Sequence, residues 1–581
     1  MTEVLLANPA EIASEQALTA MFACLDSGES FLLEAGAGAG KTYSLVKALK
    51  YIVSRDQFKL PKNQQKVACI TFTNVAKNEI EARTDRSPLI FCDTTHAFCW
   101  SVISGFQKQL LKELPNLKSW PEKIEEAGGS IDGKTIEYNL GYRAINDENI
   151  TLHHDDVLPL TIALLKNNKF RKILTDKYPI ILIDEYQDTN IDWIEAIKEN
   201  FLTDASGPQF GFFGDHWQKI YGGGCGRIQH PGLVQIGKGA NFRSVQTIVE
   251  SLNRMRPDLP QMAEDAASVG SVQVFHTNEW KGERQTGNHW NGDLPSDVAH
   301  TTLSTVMEKL TGENWDFTPG ITKILMLTHR VLADEQGYKS LPGIFRYNEA
   351  FTKKENKHIA FFVDELEPAY TAYEAKQFGA MFAALGSRVP KIAAQSDKAK
   401  WSESMKTIGA LRASGTVGDM IDYLRDVRVP RLPDAVEKKE RERETFNAET
   451  DGEIPRSLTE IHELRAVLYS EIIALSRYLN GYSPFETKHG VKGAEFENVL
   501  VVVGRGWNQY NFNEMLELAA DQENIPAKRI DAFERNRNLF YVACSRPKKR
   551  LAILFTQQLT DPALSVLGKW FGTESVKSLS F

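Results

Sequence analysis

Two short strings carry side chains whose types and spacing suit phosphate chemistry. Residues 34–44 read EAGAGAGKTYS, directly after an apolar run and before a helical pattern. From Ala35 to Thr42 this is the form of a phosphate-binding loop. The small residues Ala35, Gly36, Ala37, Gly38, Ala39 and Gly40 let the backbone curl until its N–H groups point at phosphate oxygens. The start of the following helix adds its dipole. Lys41 is then placed to reach the β- and γ-phosphates, and the Thr42 hydroxyl to bind Mg2+. The second string, PIILIDEYQDTN at 179–190, ends an apolar run in Asp184 and Glu185. Carboxylates at the carboxyl edge of a sheet lie where α/β folds keep their ligands. Asp184 suits the carboxylate that holds Mg2+, and Glu185 the base that orients an attacking water. Together the strings imply a nucleoside-triphosphate site.

Such a site needs sheets to hold it. Residues 30–33, 67–72, 180–183, 210–213, 323–327 and 498–503 read as short buried strands, and helical patterns such as 42–53 lie between them. That alternation implies parallel sheets with helices on both faces. The strands fall into a group before residue 215 and a group after 320, which implies two α/β cores. Residues 100–165 and 345–480 read as mainly helical insertions, and KKERERE at 438–444 as a solvated helix face.

Composition bounds the partners. The formal net charge of −8 excludes a generally basic nucleic-acid-coating protein, but a local basic track remains open because only the field at the site matters. The six cysteines form no CxxC pair and read as small buried thiols of a reducing compartment. The N-terminal stretch lacks the basic region of a signal peptide. No run of about 18 apolar residues suggests a membrane span. A cytoplasmic protein is expected.

AGAGAGKT with DEYQDTN resembles the UvrD/Rep/PcrA group of superfamily 1 DNA helicases. The resemblance continues in order through TFTNVAKNEIEAR (71–83), TTHAF (94–98), FFGDHWQKIYG (212–222), NFRS (241–244), TKHGVKGAEFENVLVV (487–502) and RNLFYVACSR (537–546). It implies an α/β fold of two RecA-like P-loop cores with parallel sheets, each interrupted by a mainly helical insertion. The expected division is 1–100 with 166–235 as the first core and 101–165 as its insertion. The second core is expected at 236–344 with 481–581, and its insertion at 345–480.

The resemblance also implies roles for matching positions. Gln16 would read adenine, Tyr43 and Phe242 would pack on the nucleotide, and Glu495 would bind the ribose. Gln187 and Gln218 would sense the γ-phosphate. Arg243 and Arg546 would act as arginine fingers, a role that suits a planar guanidinium facing spread phosphate charge. On the DNA side Phe72 and Tyr221 would stack on bases, while Thr73, His96, Thr487 and His489 would contact the backbone. ATP, Mg2+, single-stranded DNA and tailed duplex DNA are the implied ligands, with 3′-to-5′ movement along the strand.

Some positions depart from the family pattern. The usual tryptophan two places after Tyr221 is absent, because the run there is Gly222-Gly223-Gly224. Trp217 is the candidate replacement. The departure favours, as the alternative to a helicase, a DNA-stimulated translocase that feeds a partner nuclease and unwinds little. The stretch after Phe555 is too short for a nuclease domain. Size and layout resemble the compact helicases encoded beside a nuclease in anti-phage systems such as Gabija. DNA repair or phage defence is the expected setting.

Overall fold

Apolar runs of five or six residues become the strands of two six-stranded sheets. The computed structural model describes residues 8–139, 142–203, 207–220, 222–287, 290–326, 329–386, 389, 392–447, 453–481, 484–487, 494–504 and 510–581. The chain divides into two compact units. The first comprises residues up to Val272, Glu514–Leu551 and Asp561–Ser575; the second comprises Gln273–Asn513, Ala552–Thr560 and Val576–Phe581.

In the first unit the strands are β1 (Phe31–Ala35), β2 (Val67–Thr71) and β3 (Ile90–Thr94). A small sheet of β4 (Thr135–Tyr138), β5 (Ala144–Ile145) and β6 (Asn149–Leu152) follows, then β7 (Ile180–Asp184), β8 (Gln209–Gly214) and β9 (Val234–Lys238). The main sheet has the order β3-β2-β7-β8-β1-β9, parallel throughout. Buried on both faces, β2, β7 and β8 need unbroken apolar runs, and their burial is continuous. All strands of one parallel sheet end on the same edge, which gathers Ala35, Thr71, Asp184 and Gly214 there.

The segment 101–165 carries helices at Gln107–Glu113, Pro121–Glu126 and His154–Leu165. It also carries the β4-β6-β5 sheet, which a purely helical insertion does not include. Its apolar side chains share one core with the main sheet: Leu110, Trp120, Ile136 and Leu160 cluster with Ile70, Ile183 and Phe212.

After a short parallel pair, β10 (Ala240–Asn241) with β11 (Met262–Ala263), the second sheet begins. It is built from β12 (Ser271–His276), β13 (Thr322–Met326), β14 (Phe485–Thr487), β15 (Phe496–Val503), β16 (Pro547–Phe555) and β17 (Val576–Ser578), in the order β14-β13-β15-β16-β12-β17. The helices of 345–480 share its core. Phe362, Met405, Met420 and Leu475 join Ile324, Leu500 and Leu554 in one apolar cluster.

The charge run at 438–444 is only partly solvated. Glu440 on the helix Asp434–Thr445 is fully buried. Its carboxylate receives His358 Nε2 at 2.9 Å and Arg465 Nη1 at 2.8 Å. Burial alone would raise this carboxyl, but His358 and then Arg465 outweigh that and hold it below the usual range. Among the described residues no helix is long and apolar enough to cross a membrane. Five cysteines are buried thiols and Cys225 is half-buried, all unbridged.

Candidate nucleotide site and DNA face

β1 ends at Ala35, and the helix Lys41–Arg55 begins after a five-residue loop. Gly38 and Gly40 both take φ of +74°, a conformation costly for residues with a Cβ. A Cβ on Gly38 would also fall 2.8 Å from Asn241 Oδ1 and from Arg243 Cβ, and one on Gly36 would fall 2.7 Å from Gln261 Nε2. The loop is small because another segment is pressed against it. Asn241 Nδ2 and Gln261 Nε2 donate to the Ala37 carbonyl at 3.1 and 3.0 Å. The Phe242 N–H donates to the Gly38 carbonyl at 2.9 Å. Gln261 is a single polar residue outside any motif, so no sequence signal marks it.

β7 delivers Asp184, which is 4% exposed, and then Glu185 with a left-handed φ of +49°. That backbone is strained for a glutamate, and strain of this kind gathers at functional sites. Lys41 Nζ lies 3.1 Å from the Glu185 carboxylate and 3.5 Å from Gln218 Oε1. Gln187 also donates to Glu185, and its Oε1 accepts the Asp215 N–H at 3.0 Å. Gln218 Nε2 donates to Asp215 Oδ2 at 2.7 Å.

Behind these groups stands Arg256, 2% exposed. It donates to Asp215 Oδ1 at 2.6 Å and to Glu34 Oε1 at 2.8 Å. His216 Nδ1 also bonds Glu34. Burial would raise the Glu34 carboxyl, but His216 and then Arg256 hold it below the usual carboxylate range. Glu34, Asp215 and His216 place donor atoms within 4.8 Å of one another. The guanidinium between the two carboxylates already supplies the positive charge there.

Arg243 and Arg546 lie in the same unit as the phosphate loop. Arg243 Nη1 donates to the Ser545 carbonyl at 3.0 Å, next to Arg546 in the chain. Arg546 is 1% exposed; its Nε donates to the Val542 carbonyl at 3.0 Å, and its Nη2 has no hydrogen-bond partner among the described residues. Burial, and then the Arg243 charge, push its pKa down to about 9. A buried guanidinium with an unmatched N–H beside a second guanidinium is an environment that an anion completes. The residues present therefore fit a triphosphate.

The helix Ala527–Cys544 anchors this arrangement. Asn538 Nδ2 donates to the His216 carbonyl at 2.9 Å. The Arg537 guanidinium lies 4.0 Å over the Trp217 ring, and Tyr541 meets that ring edge-on at 5.3 Å. Trp217 is consequently 5% exposed. It cannot replace the absent tryptophan as a base platform, because both Arg537 and Tyr541 cover it.

Tyr43 and Phe242 are 46% and 39% exposed, with open ring surface. Gln16 is exposed on the helix Pro9–Ser27. Glu495 is exposed just before β15 in the second unit, and Thr487 ends β14 there. On the DNA side, Phe72 is 41% exposed immediately after β2. Thr73 caps the helix Asn74–Arg83, accepting the Ala76 N–H at 3.2 Å. The His96 ring stacks on His154 with centroids 3.4 Å apart. Burial, and then His154, push the His96 pKa down to about 4. His96 is thus a neutral hydrogen-bonding group and not a cation. Tyr221 and His489 lie outside the described residues.

Comparison with known proteins agrees with this geometry. An AAA domain model matches residues 19–224, and a UvrD-like helicase C-terminal domain model matches residues 167–558. The Gabija protein GajB of Bacillus cereus is 24% identical across 97% of this chain and 98% of its own length. The ATP-dependent DNA helicase Rep of Escherichia coli is 25% identical across 44% of this chain and 46% of its own. The helicase PcrA of Staphylococcus aureus is 25% identical across 39% and 37%. With a helicase model spanning most of its length, the chain belongs to the UvrD-like helicase family, ATP-hydrolysing enzymes that act on DNA.

Proposed function

We propose that this protein moves along single-stranded DNA in the 3′-to-5′ direction by hydrolysing ATP. One observation carries the ATPase reading: Lys41, Glu185, Gln187, Gln218, Arg243 and Arg546 converge around one phosphate loop. In this reading the loop N–H groups and Lys41 hold the β- and γ-phosphates. Glu185 takes the proton of the attacking water, and Gln187 and Gln218 set its orientation. Arg243 and Arg546 meet the charge that develops on the γ-phosphate oxygens. Thr42 and Asp184 would hold Mg2+, which supplies further charge neutralisation when bound. Gln16, Tyr43 and Phe242 would receive the base and Glu495 the ribose. Phe72, Thr73, His96, Tyr221, Thr487 and His489 would face DNA.

In the same proposal 1–100 with 166–235 and 236–344 with 481–581 form the motor cores. The segments 101–165 and 345–480 are their insertions. The protein would work in the cytoplasm on tailed duplexes. Its likeness to GajB along nearly the whole chain favours phage defence beside a partner nuclease. A second reading, a translocase that unwinds little, is favoured by the burial of Trp217 and the glycine run that follows position 221.

The test is the ATPase rate with and without single-stranded DNA, followed by unwinding of a 3′-tailed duplex. Stimulation with unwinding is expected. Stimulation without unwinding selects the second reading, and absence of stimulation overturns both.

A further inference from the structure

Lys238 is the last residue of β9 and pairs in register with Ala35, the first residue of the phosphate loop. Its exposure is 0%. The ammonium donates to Ser44 Oγ at 2.8 Å and to the Gly40 carbonyl at 3.4 Å. Both partners belong to the first turn of the helix Lys41–Arg55, whose unpaired N–H groups already make this end positive. Among the described residues no carboxylate forms an ion pair with it. Burial pushes its pKa down to about 8, and Glu15 only partly offsets this.

A methionine would fill the same space without a buried charge, so a lysine here costs stability unless an anion completes it. The surroundings say which anion. Nζ lies 5.6 Å from the Tyr43 ring centre and 6.0 Å from that of Phe242, the two exposed rings offered to the base. Lys41, by contrast, points to Glu185 and Gln218, where the γ-phosphate chemistry belongs. Between a base and the β-phosphate of a nucleotide lies its α-phosphate.

We propose that Lys238 is a second nucleotide-binding lysine, matched to the α-phosphate beneath the Tyr43 and Phe242 rings. This rests on the assignment of the phosphate loop as the ATP site. A site of this kind grips ADP as firmly as ATP, and the side chain that does so weakens the empty protein.

The experiment compares the full-length protein with its Lys238→Met and Lys41→Ala variants, measuring binding of adenosine, AMP, ADP and ATP and the Tm without nucleotide. For Lys238→Met the expected result is a loss of roughly tenfold to a hundredfold for AMP, ADP and ATP alike, the size of a charge-assisted hydrogen bond. Adenosine binding stays unchanged, and Tm without nucleotide is equal or higher. A loss confined to ATP, an equal loss for adenosine, or no loss at all overturns the proposal. So does a lowered Tm with unchanged nucleotide affinity, which would make Lys238 a structural partner of Ser44. Lys238→Gln, measured in parallel, keeps the test readable if the methionine variant fails to fold. If Lys41→Ala binds ADP and ATP as well as the parent, the phosphate-loop assignment itself fails. If only Lys41→Ala weakens binding, that assignment stands and Lys238 has no part in it.

Discussion

Arg256 Nη1 lies 2.6 Å from Asp215 Oδ1, and the other oxygen of that carboxylate holds the Gln218 amide at 2.7 Å. The amide therefore presents its oxygen toward Lys41. A buried cation outside every motif thus orients a side chain at the reacting end of the nucleotide.

Arg256→Met leaves Asp215 and Glu34 buried without their shared counter-ion. Breaking a buried pair from one side costs about 3–5 kcal/mol. Urea denaturation should show a loss of that size, and a change under about 1 kcal/mol would refute the role given to Arg256.

Lys41→Ala should abolish ATP turnover while Tm changes little, since Lys41 sits at the margin of the core and makes no apolar contact of consequence. Glu185→Gln should keep ATP binding and slow hydrolysis by about a hundredfold or more, because the amide cannot accept the proton. Retained turnover in either variant would remove that residue from the site.

Arg546→Ala should lower kcat by roughly a thousandfold with a much smaller change in ATP affinity, since a guanidinium facing γ-phosphate charge acts mainly on the transition state. Equal losses in binding and turnover would count against that role.

His96 carries a sign that can be checked by pH. Its folded pKa is held near 4 by burial and by His154, against about 6.5 in an unfolded chain. Below pH 6.5 the unfolded chain takes up a proton that the folded one refuses, so stability is lost as pH falls from about 6.5 to about 4. His154, also lowered by burial, acts in the same direction. His96→Asn should flatten the fall of Tm over that window. Single-stranded DNA affinity should gain nothing from His96 on going from pH 7 to 5.5, because the ring stays neutral.

The parts of the fold legible in sequence are those where local and tertiary demands coincide. β2, β7 and β8 are unbroken apolar runs because both their faces are buried. β3, IFCDT, mixes polar residues into a partly exposed edge of the sheet and gives no such run. The phosphate loop is legible because its chemistry forces its spacing. Trp217 was placed on the DNA face by analogy, yet its burial depends on Arg537 and Tyr541, more than 300 positions along the chain. Arg256, Gln261 and Lys238 are single polar residues whose meaning comes from what lies beside them in space. Glu440 is read as solvated for the same reason; only His358 and Arg465 make its burial tolerable.

The bonds from Asn538 to the His216 carbonyl and from Arg243 to the Ser545 carbonyl have a consequence for biosynthesis. The phosphate loop is among the first parts of the chain to leave the ribosome, whereas the helix Ala527–Cys544 and Arg546 are among the last. A nascent chain can assemble the parallel sheet early, but the guanidiniums that complete the loop arrive after more than 500 residues have been added. Partly made molecules would therefore hold the loop without the groups assigned to hydrolysis, and ATPase activity would switch on only as translation ends.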